Sequence, residues 1–563
     1  MMAGLPPRLR MSSKARMRLV DAARGRRGAD LAIRGGRILE VHTGRLLDVD
    51  LGIQDGRVCW HAPPGYGHAD AEVDAHGAVL VPGLIEPHGH PDILYTPSAL
   101  ARAVALRGTT TVCADTAFLA LALDDADLAG VLDGMSRASA KFFWALRGGL
   151  DGVASDETHR LGLSRLERLM AARSDVTSSG EMTAWPALLA HDRRLRSFVD
   201  VVLDHGTRVD GHAAGASAAT LGAMAAAGIQ SDHEAMSGAD LAARIEAGLW
   251  TMVRHSSLRP DGGMLGAAIV ERGLPTDRLM LTVDGPVPAD VTKGYIDTAV
   301  REVIDAGLPP ETAVRLATLQ PATYLGLDAH LGSLAVGRCA DILVVDALPT
   351  FQPRAVFCDG QMVDGTTVTG GFTAWDRVTS TSTLGQGELT PAILADVCTN
   401  GPRVRFDGVV TRTVEGGVDV GTAVALVSAR GDWLCGMQAV NLDVPALAST
   451  FTGSRDVLLI GRDLEQLVAC YQQVVGAGGG MATTTQFVPL PVLGTMSDDD
   501  VSELAQAVAS IEHEMRLPDD FPPLAYLLLF ASLAVLPDVR LTPRGVLDVK
   551  TGAQLAPIHP LTP

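Results

Sequence analysis

Between residues 81 and 327, eight short strand-like runs alternate with helix-like stretches, several of them Ala/Leu-rich, and this alternation predicts an α/β chain organised around a (β/α)8 barrel. Two further observations complete the architecture. A strand-and-turn texture precedes the barrel at 28–80 and returns at 328–375, predicting one composite small β domain built from both sides. From 376 to 563 strand-like and helix-like runs alternate again, predicting a separate C-terminal α/β or α+β domain.

In chain order, residues 1–27 form a basic arm with Arg8, Arg10, Lys14, Arg16, Arg18, Arg24, Arg26 and Arg27, read as a solvated arm or a first helix. The stretch "ADLAIRGGRILEVHTGRLLDVDLGIQDGRVCW" is broken by Gly-Gly, Thr-Gly and Asp-Gly, the punctuation of a meander. Related texture returns in "GSLAVGRCADILVVDAL". The eight barrel strands are "GLIEPHGH", "GTTTVCAD", "KFFWALRG", "VTSSGE", "TRVDGH", "GIQSDH", "TMVRHSS" and "RLMLTVDG", with helices such as "TPSALARAVALR" between them. Further on, "GTAVALVSA" and "RDVLLIG" read as strands and "DLEQLVACYQQVVGAG" as a helix. The glycines at 476–480 follow that helix without the strand-loop-helix context of a phosphate loop, and read as a helix stop. "LAYLLLFASLAVL", Leu524 to Leu536, is too short to span a bilayer and reads as a buried helix.

Composition narrows the function classes. Of 563 residues 47% are hydrophobic, enough for a large core, and 46 basic against 65 acidic residues give a formal charge of −19. Nucleic-acid binding is therefore not expected, since phosphate contacts need clustered basic charge. Seven widely spaced cysteines without a CxxC read as reduced thiols, and no signal peptide is visible, so a cytoplasmic protein without membrane attachment is expected.

The polar residues at the strand ends are His88, His90, Asp115, Glu181, His212, His233, Arg254 and Asp284. A barrel brings all these ends to one face. His88 and His90, at i and i+2, point to the same side of a strand and can aim at one ion. Taken alone the pair also fits an ordinary polar strand end. With Glu181, His212, His233 and Asp284 it makes a ligand set sufficient for two divalent ions, Glu181 bridging with its two oxygens. Such a centre generates hydroxide near neutral pH for attack on an electrophilic sp² carbon. A carboxylate must then carry the proton to the leaving group: Asp284 is the natural shuttle and Glu234 the second candidate, with an equal reading as orienter of a histidine ligand. Arg254 either orients substrate or pairs with a carboxylate. His205 reads as a surface or capping residue, and His255 is open between the two roles.

"PGLIEPHGH" resembles the first-strand motif of the amidohydrolase superfamily, and from about residue 18 to 550 the chain resembles the bacterial adenine deaminases. The matching stretches include "VDGHAAGASAATLGAMAAAGIQSDHEA", "GYIDTAVREVIDAGLPPETAVRLATLQPATYLGL" and "PLPVLGTMSDD". The resemblance implies a binuclear centre, manganese or iron with zinc as the alternative, held by His88, His90, Glu181, His212, His233 and Asp284. It also implies a small-molecule substrate, and a homo-oligomer, a dimer, is expected.

The departures from the family pattern lie near the pocket. "PDILY" follows His90 where the family has Glu-Ser-Ser, and "ADTAF" stands at 114–118 in place of Asp-Pro-His-Glu. Arg254-His255-Ser256-Ser257 replaces Arg-Glu-Gly-Ser, Asp284-Gly285 a paired aspartate, and "TGSR" at 452–455 a His-Asp-x-His motif. Asp92, Asp115 and Arg254 are the expected substrate contacts. The leading expectation is hydrolytic deamination of adenine or a related aminated heterocycle. The alternatives are hydrolysis of a cyclic amide or lactone at the same centre, and a non-catalytic binding protein that retained the fold.

Overall fold

All eight runs form strands in the computed structural model, which describes residues 5–148, 160–378, 384–415, 421–517, 521–536 and 538–562. In order they are Leu84–Gly89, Thr109–Asp115, Lys141–Ala145, Val176–Met182, Arg208–Gly211, Ser231–Asp232, Trp250–Arg254 and Leu279–Thr282. The first five pair as one parallel sheet and the last three as another. The two meet along both edges. Gln230 N donates to Val209 O at 2.9 Å. On the opposite side the Glu86 carboxyl accepts from Thr282 Oγ1 at 2.6 Å and from Val283 N at 2.9 Å.

Parallel neighbours need crossover connections, and helices such as Pro97–Leu106 and Gly262–Arg272 supply them. Their starts are written locally: Thr96 accepts from Ala99 N ahead of Pro97, and Ser217 and Ser237 cap the helices they precede. The second strand, "TTTVCAD", is buried along its whole length, as a parallel strand covered on both faces should be.

The two flanking β segments pair with each other. Val79–Pro82 runs antiparallel to Ile342–Val345, placing Val79 opposite Val345 in a six-stranded sheet. A four-stranded sheet from residues 29–74 packs against it through Ile33, Leu51, Ile342 and Phe357. Lys141, at the start of the third parallel strand, is buried between Asp341 at 2.6 Å and Asp359 at 2.8 Å. The basic arm packs rather than floating in solvent. Ser13–Ala23 is a helix capped by Ser12, Leu9 is buried, and Arg8 donates to Asp359 Oδ2 at 3.0 Å and to Ser139 O at 2.9 Å. The first four residues of the arm lie outside the described residues.

The C-terminal region is β-rich, with a nine-stranded, mostly antiparallel sheet. Period two divides its strands between two cores. On Thr422–Val427, Ala423, Ala425 and Val427 pack under the helices Pro391–Thr399 and Leu464–Gly476, whereas Val424 and Leu426 join the large core shared with the parallel strands. The helix Leu464–Gly476 ends at the glycine run, and Leu524–Ala531 is a buried helix. Among the described residues no helix is long and apolar enough to cross a membrane, and all seven cysteines are buried thiols.

Candidate metal centre and substrate pocket

The C-terminal ends of the parallel strands bring His88, His90, Glu181, His212, His233 and Asp284 together. Their ligand atoms fall into overlapping sets, each within 4.8 Å: His88, His90 and Asp284; His88, Glu181 and His233; His212, His233 and Glu234. Glu181 stands between the groups. Its Oε2 lies 2.8 Å from His212 Nδ1 and 3.3 Å from His233 Nε2, and its Oε1 3.9 Å from His90 Nε2. Asp284 Oδ1 is 3.1 Å from His90 Nε2 and 4.0 Å from His88 Nε2.

Local chain geometry aims these groups. Gly180 has φ +66° at a register shift of the fourth strand, and a Cβ there would lie 2.7 Å from Asp115 Oδ2, so glycine is what allows the bulge that turns Glu181 inward. Asp284 adopts φ +61°, a left-handed conformation unusual for a side-chain-bearing residue, just past the eighth strand.

The electrostatics are those of a site short of positive charge. Burial works against ionised His90, yet the Asp284 carboxylate outweighs it and raises the imidazole to about 10. His212 rises to about 9 against the same burial, because Glu234 and Glu181 face it. Burial would lift Glu181 and Asp284, but Arg147 and His212 hold the first, and His90 and Arg254 the second, below the usual carboxylate range. His88 is fully buried, and burial together with His233 and His90 keeps it neutral. Its Nε2 is buried without a hydrogen-bond partner, aimed into the cluster. A neutral imidazole with an unfilled lone pair, flanked by anionic carboxylates, fits a divalent cation, which would displace the protons on His90 and His212. The set Cys339, Asp341 and Asp359 also has ligand spacing, but the Lys141 ammonium already occupies its carboxylates.

A cavity of about 260 Å³ opens over this cluster. His90, Glu181, His212, Glu234, Arg254 and Asp284 line its floor. Arg254 Nη1 is 3.0 Å from Asp284 Oδ2 and also holds Glu234 Oε1, so it pairs with carboxylates. Glu234 Oε1 lies 3.6 Å from His233 Nε2 and 3.8 Å from His212 Nδ1, while Oε2 accepts from Arg259 at 2.9 Å. Of the three expected substrate contacts Arg254 lines the cavity, and neither Asp92 nor Asp115 is among the described residues that line it. Asp115 accepts from Arg147 Nη2 at 2.9 Å and from Ala117 N at 2.7 Å. Asp92 is buried beside the cluster, and burial pushes its carboxyl up to about 7. His205 caps a helix, and His255 is half-buried below Gly262, outside the ligand sets.

Several contributors were not singled out from the sequence. Arg147, in "KFFWALRG", stands at a strand end like the others, and its Nη2 donates to Glu181 Oε1 at 2.6 Å. Thr183, two residues beyond Glu181, lines the cavity with a buried, unpartnered hydroxyl. Tyr526, Leu529, Phe530 and Leu533 reach the cavity from the C-terminal region, for which no local signal existed.

Sequence comparison agrees with this geometry. Residues 79–363 match the profile "Amidohydrolase family", and residues 423–553 match "Adenine deaminase C-terminal domain". The adenine deaminase of Deinococcus deserti is 32% identical over 97% of this chain and 98% of its own length. That of Nitratidesulfovibrio vulgaris is 31% identical over 95% and 97%. The chain thus belongs to the amidohydrolase superfamily and, within it, to the adenine deaminase family. Among solved structures, N-acetylglucosamine-6-phosphate deacetylase from Pasteurella multocida aligns with a TM-score of 0.46 at 14% identity, over 60% of this chain and all of that one, a likeness too distant to carry an argument.

Proposed function

We propose that this protein is a metal-dependent hydrolytic deaminase of the adenine deaminase type, converting adenine and water to hypoxanthine and ammonia. The observation that carries the reading is the shared ligand cluster, with His88 and His233 each belonging to two sets and Glu181 between them. The scaffold is read as a (β/α)8 metal-dependent hydrolase barrel whose two ions, manganese or iron, would be held by His88, His90, Glu181, His212, His233 and Asp284. When bound, such ions supply Lewis acidity and bring the pKa of water toward about 7.

The remaining chemistry belongs to this chain's own groups. Asp284 is ionised, and Arg254 engages only Oδ2, leaving Oδ1 beside His90 to take a proton and deliver it to the departing amine. Glu234, held by Arg254 and Arg259, orients His212 and His233. The apolar cavity wall excludes bulk water and strengthens each of these interactions.

The test is ammonia release from adenine by protein loaded with manganese or iron, with elemental analysis of the same sample. Turnover with about two ions per chain supports the reading. Bound metal without ammonia from any aminated heterocycle, but with turnover of a cyclic amide, would support the alternative chemistry.

A further inference from the structure

Among the described residues lining the cavity, two buried polar side-chain atoms have no hydrogen-bond partner: Thr183 Oγ1 and Arg254 Nε. Both can donate, and the hydroxyl can also accept. In the Arg254 guanidinium a single nitrogen, Nη1, serves both Glu234 and Asp284, so the Nε–H is left over. Thr183 reaches the cavity by another route. It stands two residues past Glu181, just beyond the end of the strand Val176–Met182 and ahead of the helix Trp185–Leu189.

A buried donor without a partner costs free energy, and folded chains pair almost all of theirs. Here both unpaired atoms belong to the wall of one cavity, beside the candidate metal cluster. That placement fits a ligand which brings its own acceptors. A purine does so: with its reacting carbon at the cluster, the ring still carries acceptor nitrogens outside the reacting amidine, N3 and N7. Leu529, Phe530 and Leu533 form a hydrocarbon roof over the same cavity, and an acceptor that loses water there needs a donor from the protein. Arg254 cannot be replaced without releasing Glu234 and Asp284, whereas Thr183 takes no part in the ion pairs.

We infer that Thr183 is a specificity-determining residue whose hydroxyl donates to N3 or N7 of the purine. The inference rests on the deaminase reading for the orientation of the ring and on the unpaired hydroxyl for the contact. A site with a buried donor of this kind discriminates against a base that lacks the matching acceptor.

The test compares hypoxanthine, 3-deazahypoxanthine and 7-deazahypoxanthine, bound to the metal-loaded full-length enzyme and followed by calorimetry, with kcat/KM for adenine measured alongside. Thr183→Val keeps the shape of the side chain and deletes the hydroxyl. Because that hydroxyl has no partner in the ligand-free protein, Tm is expected to hold or rise, while hypoxanthine affinity and kcat/KM for adenine each fall about tenfold. Thr183→Ser restores the hydroxyl and should return both to within about threefold of the unaltered enzyme. The deaza analogue that lacks the contacted nitrogen should bind the unaltered enzyme about tenfold more weakly than hypoxanthine and lose nothing further in Thr183→Val. The other analogue should lose as much as hypoxanthine does. Equal loss of all three bases in Thr183→Val, loss of none, or a fall in its Tm would overturn the inference. Equal binding of the three by the unaltered enzyme would overturn it whether or not the variant folds. No ammonia from adenine, with the expected binding pattern intact, would instead overturn the deaminase reading and leave the Thr183 contact standing.

Discussion

The hydroxyl of Tyr526 donates to the backbone carbonyl of Gly285, joining the C-terminal region to the turn that presents Asp284, 242 residues earlier in the chain. That turn carries Asp284 at φ +61°, a conformation that costs about 1–3 kcal/mol unless its surroundings impose it. They do so from several sides. Asp284 O accepts from His90 N at 3.1 Å, Asp284 N donates to Thr282 Oγ1 at 3.0 Å, and Tyr95 donates to Pro286 O at 2.6 Å. Tyr526→Phe keeps the ring and its stacking on Phe530 at 5.6 Å but removes the anchor. The loss of one buried hydrogen bond, about 1 kcal/mol, should lower kcat about fivefold with little change in KM. Steady-state kinetics measures it, and an unaltered kcat would show that the turn holds without the tyrosine.

Arg147 neutralises Asp115 and Glu181 together, at 2.9 and 2.6 Å. Arg147→Gln leaves both carboxylates buried without their cation and frees Glu181 to turn. Because partners of metal ligands tune affinity, metal binding should weaken about 10–100-fold. Titration of the metal-free protein, read by calorimetry, checks this independently of turnover.

Lys141 supports the opposite end of the strands. Its buried ammonium balances Asp341 and Asp359, and Arg8 supplies a second cation only to Asp359. Lys141→Met preserves the length of the side chain but leaves Asp341 buried and uncompensated. The expected cost is about 3–5 kcal/mol, read as a fall in Tm or in the denaturant midpoint. A fall within the scatter of surface variants would show that Arg8 and solvent suffice.

Asp456 sets a pH dependence away from the candidate metal cluster. Burial lifts its carboxyl from 3.8 to about 6, against the Ala429 N–H, the Ser454 hydroxyl and Arg455, and with help from Asp432. In the unfolded chain the group ionises near pH 3.8, so between about 4 and 6 the folded state holds the extra proton. Stability from this residue therefore falls as pH rises through that window and is level above it. Asp456→Asn does not titrate and can still accept from Ala429 N. Its stability relative to the parent should rise by up to about 3 kcal/mol from pH 4 to pH 7, followed by chemical denaturation at both pH values. A pH-independent difference would mean that Asp456 is ionised in the folded protein at acid pH.

Much of the candidate cluster was legible because its side chains sit where local rules put them. His88 and His90 share a strand face at i and i+2, and each later candidate ligand stands at or just past the end of a short strand. Pairing is what local pattern does not show. Asp115 has the same local setting as Glu181, but Arg147 and the Ala117 N–H bind it. Asp92 was drawn in by the unfamiliar "PDILY", which docks instead on the C-terminal region: Thr96 N donates to Ser497 O at 2.9 Å, and Ser497 N to Leu94 O at 2.7 Å. Arg147 and Thr183 stood in or beside quoted strand ends, yet nothing local distinguishes a cation that anchors a ligand from one facing solvent.

Local periodicity is carried by consecutive residues, and so the sequence by itself determined the order of the strands, the alternation of their faces and the ligand chemistry at their ends. Which carboxylate meets which arginine, and what covers the pocket, depend on where segments hundreds of residues apart come to rest. The roof shows the difference most plainly. "LAYLLLFASLAVL" announces burial in its composition, but only the docked fold turns that burial toward the candidate metal cluster and sets Tyr526 against Gly285.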